Sequence, residues 1–402
     1  MRRCQYTINR RAVHDYAEQL CQRHVPLKDR GPKCKAGILW AVLFWAASRI
    51  SSLAAACASL RQAPSDSAAH DALLAALPAS AELQRRLNRG LTADLPKGLR
   101  KHRQPLACDL TLVPYHGEPL HSPDEIYRGP AKSGTTHFHA YATCYVVHKG
   151  QRFTVALTGV KRGEPLAAVL QRLLRQAARA GVRPRYLLLD KGFCSVAVIR
   201  YLQRARYGWL MPLVTRGRRP DHPDGPSGSQ GFRCWKCGGW GRYTMTAADG
   251  STATFAVCVK CRNRRGERGR YGREALVYAW GGMARPSSPE WVRQTYRQRF
   301  GIETSYRQMH QARIRTSTRD PLLRLLYVGV ALILRNVWAW LHWEVLSQPR
   351  RGGRRIDLGR LTFRGLLLWL QHYAEAWLGV NDEVHTQRPI PKGLMPFTAE
   401  LG

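Results

Sequence analysis

"RYLLLDKGF" (185–193) is a short apolar run that ends on an acid, followed by a glycine and an aromatic. Three consecutive leucines suit a strand buried on both faces, and Asp190 stands where that strand stops. Helical periodicity flanks it. "PLAAVLQRLLRQAARAGV" (165–182) reads as an amphipathic helix closed by Gly181, and "CSVAVIRYLQRARYG" (194–208) as a second helix leading to the strand "WLMPLV" (209–214). Upstream, "PLACDLTLVP" (105–114) is an apolar strand carrying one acid, Asp109. "THFHAYATCYVVHKGQRFTVALTGVK" (136–161) alternates and turns at Lys149-Gly150, as a hairpin does. Hairpin strands followed by β-α-β-α-β predict a mixed sheet flanked by helices, of the α/β class.

Outward from this core the texture changes. Residues 1 to 100 read as helical, dominated by Ala, Leu and Ser. "GILWAVLFWAAS" (37–48) is a buried helix, too short for a bilayer, which takes about 17–25 residues. "SRISSLAAACASLRQAPSDSAAHDALLAAL" (48–77) holds two short helices broken at Pro64, with Ser65 or Asp66 as cap. That is helix-turn-helix spacing, shared by DNA-reading units and by plain helical hairpins. Residues 1–100 are therefore expected to form a helical DNA-binding region. Residues 216–273 are rich in Gly, Arg, Ser and Pro and contain strand-like runs, a β-rich basic insertion. "REALVYAWGG" (273–282) reads as a strand rejoining the core, which is expected to span 101–215 and 274–345. A basic loop and a helical tail fill 346–402.

The charge narrows the partners. The chain of 402 residues carries 64 Lys+Arg against 27 Asp+Glu, a net +37. Such a field attracts polyanions, and nucleic acid is the natural one. An anionic membrane is the competitor, but the charge is spread along the chain rather than gathered beside an apolar anchor. "MRRCQYTINRR" (1–11) lacks the apolar segment of a signal peptide, and eleven mostly scattered cysteines suit a reducing cytosol. A cytoplasmic protein is expected.

Chemistry gathers in "YRQRFGIETSYRQMH" (296–310), expected as part of one helix begun at Ser287 or Ser288. At 100° per residue, Tyr296, Arg299, Glu303 and His310 fall within about 60° of one another, beside an apolar stripe of Ile302, Tyr306 and Met309. Arginine forks such as Arg299 and Arg307 fit phosphate oxygens. A carboxylate among them would repel phosphate unless a cation lay between, and magnesium takes carboxylates together with phosphates. Asp109, Asp190 and Glu303 could hold two such ions about 3.5–4 Å apart, an arrangement suited to phosphodiester transfer.

Asp109, Asp190 and Glu303, on a strand, a strand end and a late helix, resemble the DDE triad of RNase H-like transposases. Tyr296, Arg299 and Glu303 match the signature Y-x2-R-x3-E-x6-K of insertion-sequence family four, with His310 where the lysine belongs. "DKGF" (190–193) resembles that family's second-aspartate motif, and an insertion before the glutamate is the family's habit. The resemblance covers roughly 40–345 and implies cut-and-paste transposition. Water would cut at the element's end, and the 3′-hydroxyl released would attack the opposite strand or the target. It also implies Mg2+ or Mn2+, double-stranded DNA with terminal inverted repeats, a homodimer pairing two ends, and action on the nucleoid. Tyr296 and Arg299 would orient end phosphates, and the lysine lost at His310 puts that clamp in question unless Gln311, Arg313 or Arg315 replaces it. A hairpin step in such enzymes uses an inserted aromatic. Trp235, Trp240 and Trp280 are candidates, though ordinary packing is the better account of each.

Other patterns compete. Cys234, Cys237, Cys258 and Cys261 have C-x2-C-x20-C-x2-C spacing, as a structural zinc site does. Against it, "TATFAVCVK" (252–260) alternates like a strand, which would send Cys258 and Cys261 to opposite faces. His137-Phe138-His139 spells the pattern of nucleases with a tyrosine nucleophile, which would survive loss of Glu303. A transposase-derived DNA-binding protein without activity is the remaining alternative. Glu118, Asp124 and Glu125 follow the first aspartate and are candidates for the cleft wall, and Lys132, like many other basic residues, could meet phosphate.

Overall fold

The computed structural model describes residues 7–147, 152–219, 221–265, 271–351 and 353–383. The Lys149-Gly150 turn lies outside them. Six helices precede the first strand: α1 (Arg10–His24), α2 (Ala36–Arg49), α3 (Leu53–Ser59), α4 (Asp66–Ala76), α5 (Ser80–Thr92) and α6 (Lys97–Lys101). Ser52 and Ser65 cap α3 and α4 through their hydroxyls. α2 is apolar on every side and buried from Leu39 to Ser48, as a core helix must be.

Strands β1 (Gln104–Pro114), β2 (Tyr127–Lys132), β3 (Thr135–Val146) and β4 (Thr154–Val160) come next. Then helix and strand alternate through α7 (Leu166–Arg179), β5 (Pro184–Leu189), α8 (Val196–Arg204) and β6 (Trp209–Pro212). The insertion contributes β7 (Gly239–Thr246) and β8 (Thr252–Arg265), and β9 (Tyr271–Gly281) returns. Among the described residues these nine strands form one mixed sheet. β1 lies at its heart, antiparallel to β3 and parallel to β5. β5 runs parallel to β6, and β9, β8 and β7 extend that side antiparallel. The insertion is thus an extension of the central sheet. β9 threads it onto β6, and Gly282 lets the chain leave the sheet against the Tyr207 carbonyl.

The opposite edge is closed by side chains. β4 pairs only with β3, so half of its backbone groups face outward. Asn88 of α5 donates to Leu157 O and accepts from Leu157 N, both at 2.8 Å. Asn336 does the same for Thr154, and Gln84 accepts from Gly159 N. Amides on helices therefore take the place of a neighbouring strand, satisfying buried backbone and blocking edge-to-edge pairing. This also ties the N-terminal helices to the sheet.

The remaining helices are α9 (Pro289–Arg297), α10 (Phe300–Gln311), α11 (Pro321–Trp340) and, after the short hairpin β10 (Gln348–Arg350) and β11 (Gly353–Arg355), α12 (Phe363–Leu378). The single helix expected through 296–310 is two. Backbone bonds from Arg299 N to Tyr296 O and from Ile302 N to Arg299 O tighten the chain to a three-residue step between α9 and α10. By length and composition Pro321–Val345 could cross a membrane, yet 89% of its most apolar window is buried inside the protein. It is the central helix of the core, against which α5, α10 and β4 pack.

Gly282 has φ +66°, and a Cβ there would lie 1.9 Å from the Tyr207 carbonyl oxygen. Gly282→Ala is expected to lose about 2–4 kcal/mol of stability in urea titration. Gly250→Ala, at φ +77° but in open space, should lose only about 1–2 kcal/mol. Equal losses would refute the steric argument.

Candidate active site

Asp109 sits in the middle of β1, opposite Thr143 of β3. Asp190 ends β5 and accepts from Gly192 N through its own carboxylate. Parallel pairing of β1 with β5, with Cys108 opposite Leu189, brings the two aspartates that follow side by side. Glu303, in the first turn of α10, completes the group. α10 is bolted to β1 at the first aspartate. Tyr306 donates its hydroxyl to the Asp109 carbonyl oxygen at 2.9 Å. With that proton committed, the 2.7 Å contact with Thr143 has the threonine as donor. Ile302, Tyr306 and Met309 are buried, the apolar stripe expected of this helix.

Arg299 joins all three acids. Its Nη1 lies 3.0 Å from Asp109 Oδ2, and its Nη2 lies 3.1 Å from both Asp190 Oδ1 and Glu303 Oε1. It is 5% exposed. Sequence reasoning placed it on the outer, phosphate-facing side of the helix. It keeps the i,i+4 contact with Glu303 that the helix gives and reaches inward to Asp109 and Asp190. Its Cζ lies 5.6 Å from the Tyr296 ring centroid, and that ring is itself buried against Tyr278. Burial lifts the Asp109 carboxyl to about 6; Arg299 and the Leu110 N–H pull it down, while Asp190 adds to the lift. One guanidinium does not balance three carboxylates here. Surplus negative charge on hard oxygen donors is the setting a divalent cation fits. Among the described residues the three carboxylates do not themselves close to within 4.8 Å of one another.

Next to the acids runs a groove of about 590 Å³ between the insertion strands and α9. Lys191, Arg233, Arg262, Arg293 and Arg297 line it, with Phe300 at its edge. Phe300 is an exposed aromatic, 47% accessible, which sequence reasoning passed over. Arg307 is exposed on α10. His310 is half-buried, and its pKa is lowered by burial and then by Arg313 and Lys132. Those two cations therefore surround the position where the signature has lysine. Lys132 arrives from β2, a neighbour that only the fold supplies.

A family model described as "Transposase DDE domain" matches residues 100–336. The chain belongs to that family. The transposase domain thus includes all three acids and the sheet that positions them. Among solved structures, the fold is similar to a chain in the cryo-EM structure of a piggyBac transposase synaptic complex with hairpin DNA. The TM-score is 0.51 at 12% identity, covering 94% of this chain and 82% of that one. At that identity the likeness speaks for the fold, which is of the RNase H-like type. No curated protein matches the sequence.

The competing patterns do not assemble sites. Among the described residues the four cysteines form no cluster of ligand atoms: Cys258 is buried, Cys234 and Cys237 are exposed, and Cys261 donates to Trp235 O. β8 runs unbroken through 258–261, so its alternation separates the second pair and no zinc knuckle forms. His139 is buried against Tyr115, whose hydroxyl is given to Glu118 O, so the His-hydrophobe-His strand presents no nuclease site. Trp240 and Trp280 pack edge to face, and Trp235 packs on Phe232. Glu125 caps the backbone at Leu120 and His121.

Because native Asp109 keeps its proton up to about pH 6, while an unfolded aspartate releases it near 3.9, the native state binds more protons over that interval. Stability therefore falls as pH rises from about 4 to 6. In metal-free buffer Asp109→Asn should gain on the order of 3 kcal/mol relative to wild type across that window. Urea titrations at several pH values measure this, and a pH-independent difference would refute it.

Proposed function

We propose that this transposase belongs to insertion-sequence family four and carries out metal-dependent cleavage and strand transfer at the ends of its element, by cut-and-paste transposition. The observation that carries the reading is the meeting of Asp109, Asp190 and Glu303 on one guanidinium, Arg299. These three acids would hold two Mg2+ or Mn2+ ions, which when bound supply nucleophile activation and stabilise the leaving oxygen in phosphodiester transfer.

The chain's own residues do the rest. Arg299 keeps the acids together while no other positive charge is present. With the carboxylates engaged in holding the ions, the Arg299 fork would be free for a phosphate of the transposon end, beside Tyr296. Arg307, His310, Arg313 and Lys132 offer a second basic surface along α10. The groove cations take the DNA backbone, and Phe300 is placed to stack on an unpaired base, a role that the packed tryptophans do not suit. Two copies pairing two inverted repeats in a prokaryotic-type cytoplasm complete the reading. For the N-terminal helices a DNA-binding role is supported by their spacing, but α4 itself carries Asp66 and Asp71 and no Lys or Arg. Its neighbours must then supply the phosphate contacts.

Duplex DNA carrying the sequences that flank the gene serves as substrate. Wild type should cut at a repeat end only with magnesium, and Glu303→Gln should cut at least about 1,000-fold more slowly while binding as tightly. Arg297→Ala should weaken binding and lower the slope of log K against log salt by about 0.9. Cutting that persists in Glu303→Gln would overturn the triad. Salt-sensitive binding without cutting, across all flanking segments, would favour a transposase-derived DNA-binding protein.

A further inference from the structure

α1 carries a second cluster of ligating groups, on elements that play no part in the acid triad. His14 is fully buried, and neither of its ring nitrogens has a hydrogen-bond partner. Its Nδ1 lies 3.5 Å from Asp15 Oδ1 and 3.7 Å from Glu18 Oε2, and the three ligand atoms all lie within 4.8 Å of one another. Leaving both nitrogens of a buried imidazole unsatisfied is costly. The cluster therefore has the character of a site waiting for an electrophile.

The spacing selects the ligand. Bonds of about 2.0–2.2 Å in a tetrahedron place neighbouring ligand atoms about 3.4 Å apart, close to both observed edges. An imidazole nitrogen with two carboxylates suits zinc-class ions better than magnesium, which prefers all-oxygen sets. We infer that His14, Asp15 and Glu18 form a binding site for a divalent transition-metal ion of the zinc class. Water supplies the remaining position, since Asp15 and Glu18 reach solvent.

The surroundings are built for it. Tyr373 of α12 stacks on the imidazole at 4.1 Å, and Phe44 and Trp377 close its edges. This apolar wall fixes the orientation of the ring. A neutral imidazole is the form that binds metal. Gly37, in the first turn of α2, leaves room for the second carboxylate: a Cβ there would lie 3.0 Å from Glu18 Oε1. Arg11, 3.6 Å from Asp15 Oδ2, is the nearby cation and is itself exposed. An ion on α1 would fix the imidazole against α12 and so lock the N-terminal helices to the C-terminal one.

The test uses the full chain with Asp190→Asn and Glu303→Gln introduced to silence the triad. Metal-stripped protein is titrated with Zn2+ by calorimetry and with Co2+ by visible absorption. One equivalent should bind, with four-coordinate d–d bands and no thiolate charge-transfer band, and should raise the thermal midpoint. Adding Glu18→Gln or Asp15→Asn should weaken that equivalent beyond the roughly 10–100-fold expected from losing a mere orienting partner. Circular dichroism and the metal-free midpoint of these partly exposed variants should stay unchanged. Unaltered stoichiometry and affinity in both variants, or a thiolate band, would overturn the assignment.

Discussion

A carboxylate in the central strand of a sheet is the constraint around which this protein is arranged. Asp109 is largely removed from water, and a buried unpaired charge is costly enough to be replaced by its neutral form. Arg299 makes it tolerable. Arg299 stands at the step between α9 and α10, and its guanidinium meets Asp109, Asp190 and Glu303 together. Tyr306 then fixes α10 on β1 through the backbone of the aspartate it serves. The acids are thus held by contacts that do not depend on any bound ion.

The compensation is deliberately incomplete in physical terms. Three carboxylates share one guanidinium, and the Asp109 carboxyl is raised chiefly by burial, with Asp190 adding to the lift. A fully neutralised group would have no affinity for cations. A less neutralised one would drive the β1 and β5 ends apart. The arrangement stands between these limits, with the acids paired yet not neutralised.

The sheet follows the same economy. Its active end is formed by the parallel strands β1, β5 and β6, and β7–β9 widen it with antiparallel strands. Those strands carry basic residues to the groove beside the acids. The other edge is sealed by Asn88, Asn336 and Gln84. Because these amides come from α5 and α11, the helical N-terminal region is locked to the catalytic sheet rather than hung from a linker.

Much of this was legible in the chain itself. Local periodicity marks the strands 105–114, 185–190 and 209–214 and the two amphipathic helices between them, because burial on a sheet demands those patterns. The three acids stood out for a local reason too: charge inside or at the end of an apolar run has few structural excuses. What the chain alone misjudged were the groups whose role depends on long-range geometry. The helical wheel placed Arg299 beside Glu303, an i,i+4 pair, but its contacts with Asp109 and Asp190 come only from packing. The cysteine spacing suggested zinc because spacing ignores the strand that holds Cys258 and Cys261 apart. Lys132 beside His310, Phe300 at the groove and Tyr306 on the Asp109 carbonyl had no sequence signal, since each acts on a partner distant along the chain. Periodicity and composition determined the elements and their acids; only the packing of those elements decided which charges meet, because electrostatic and hydrogen-bond partners are set by distance in space.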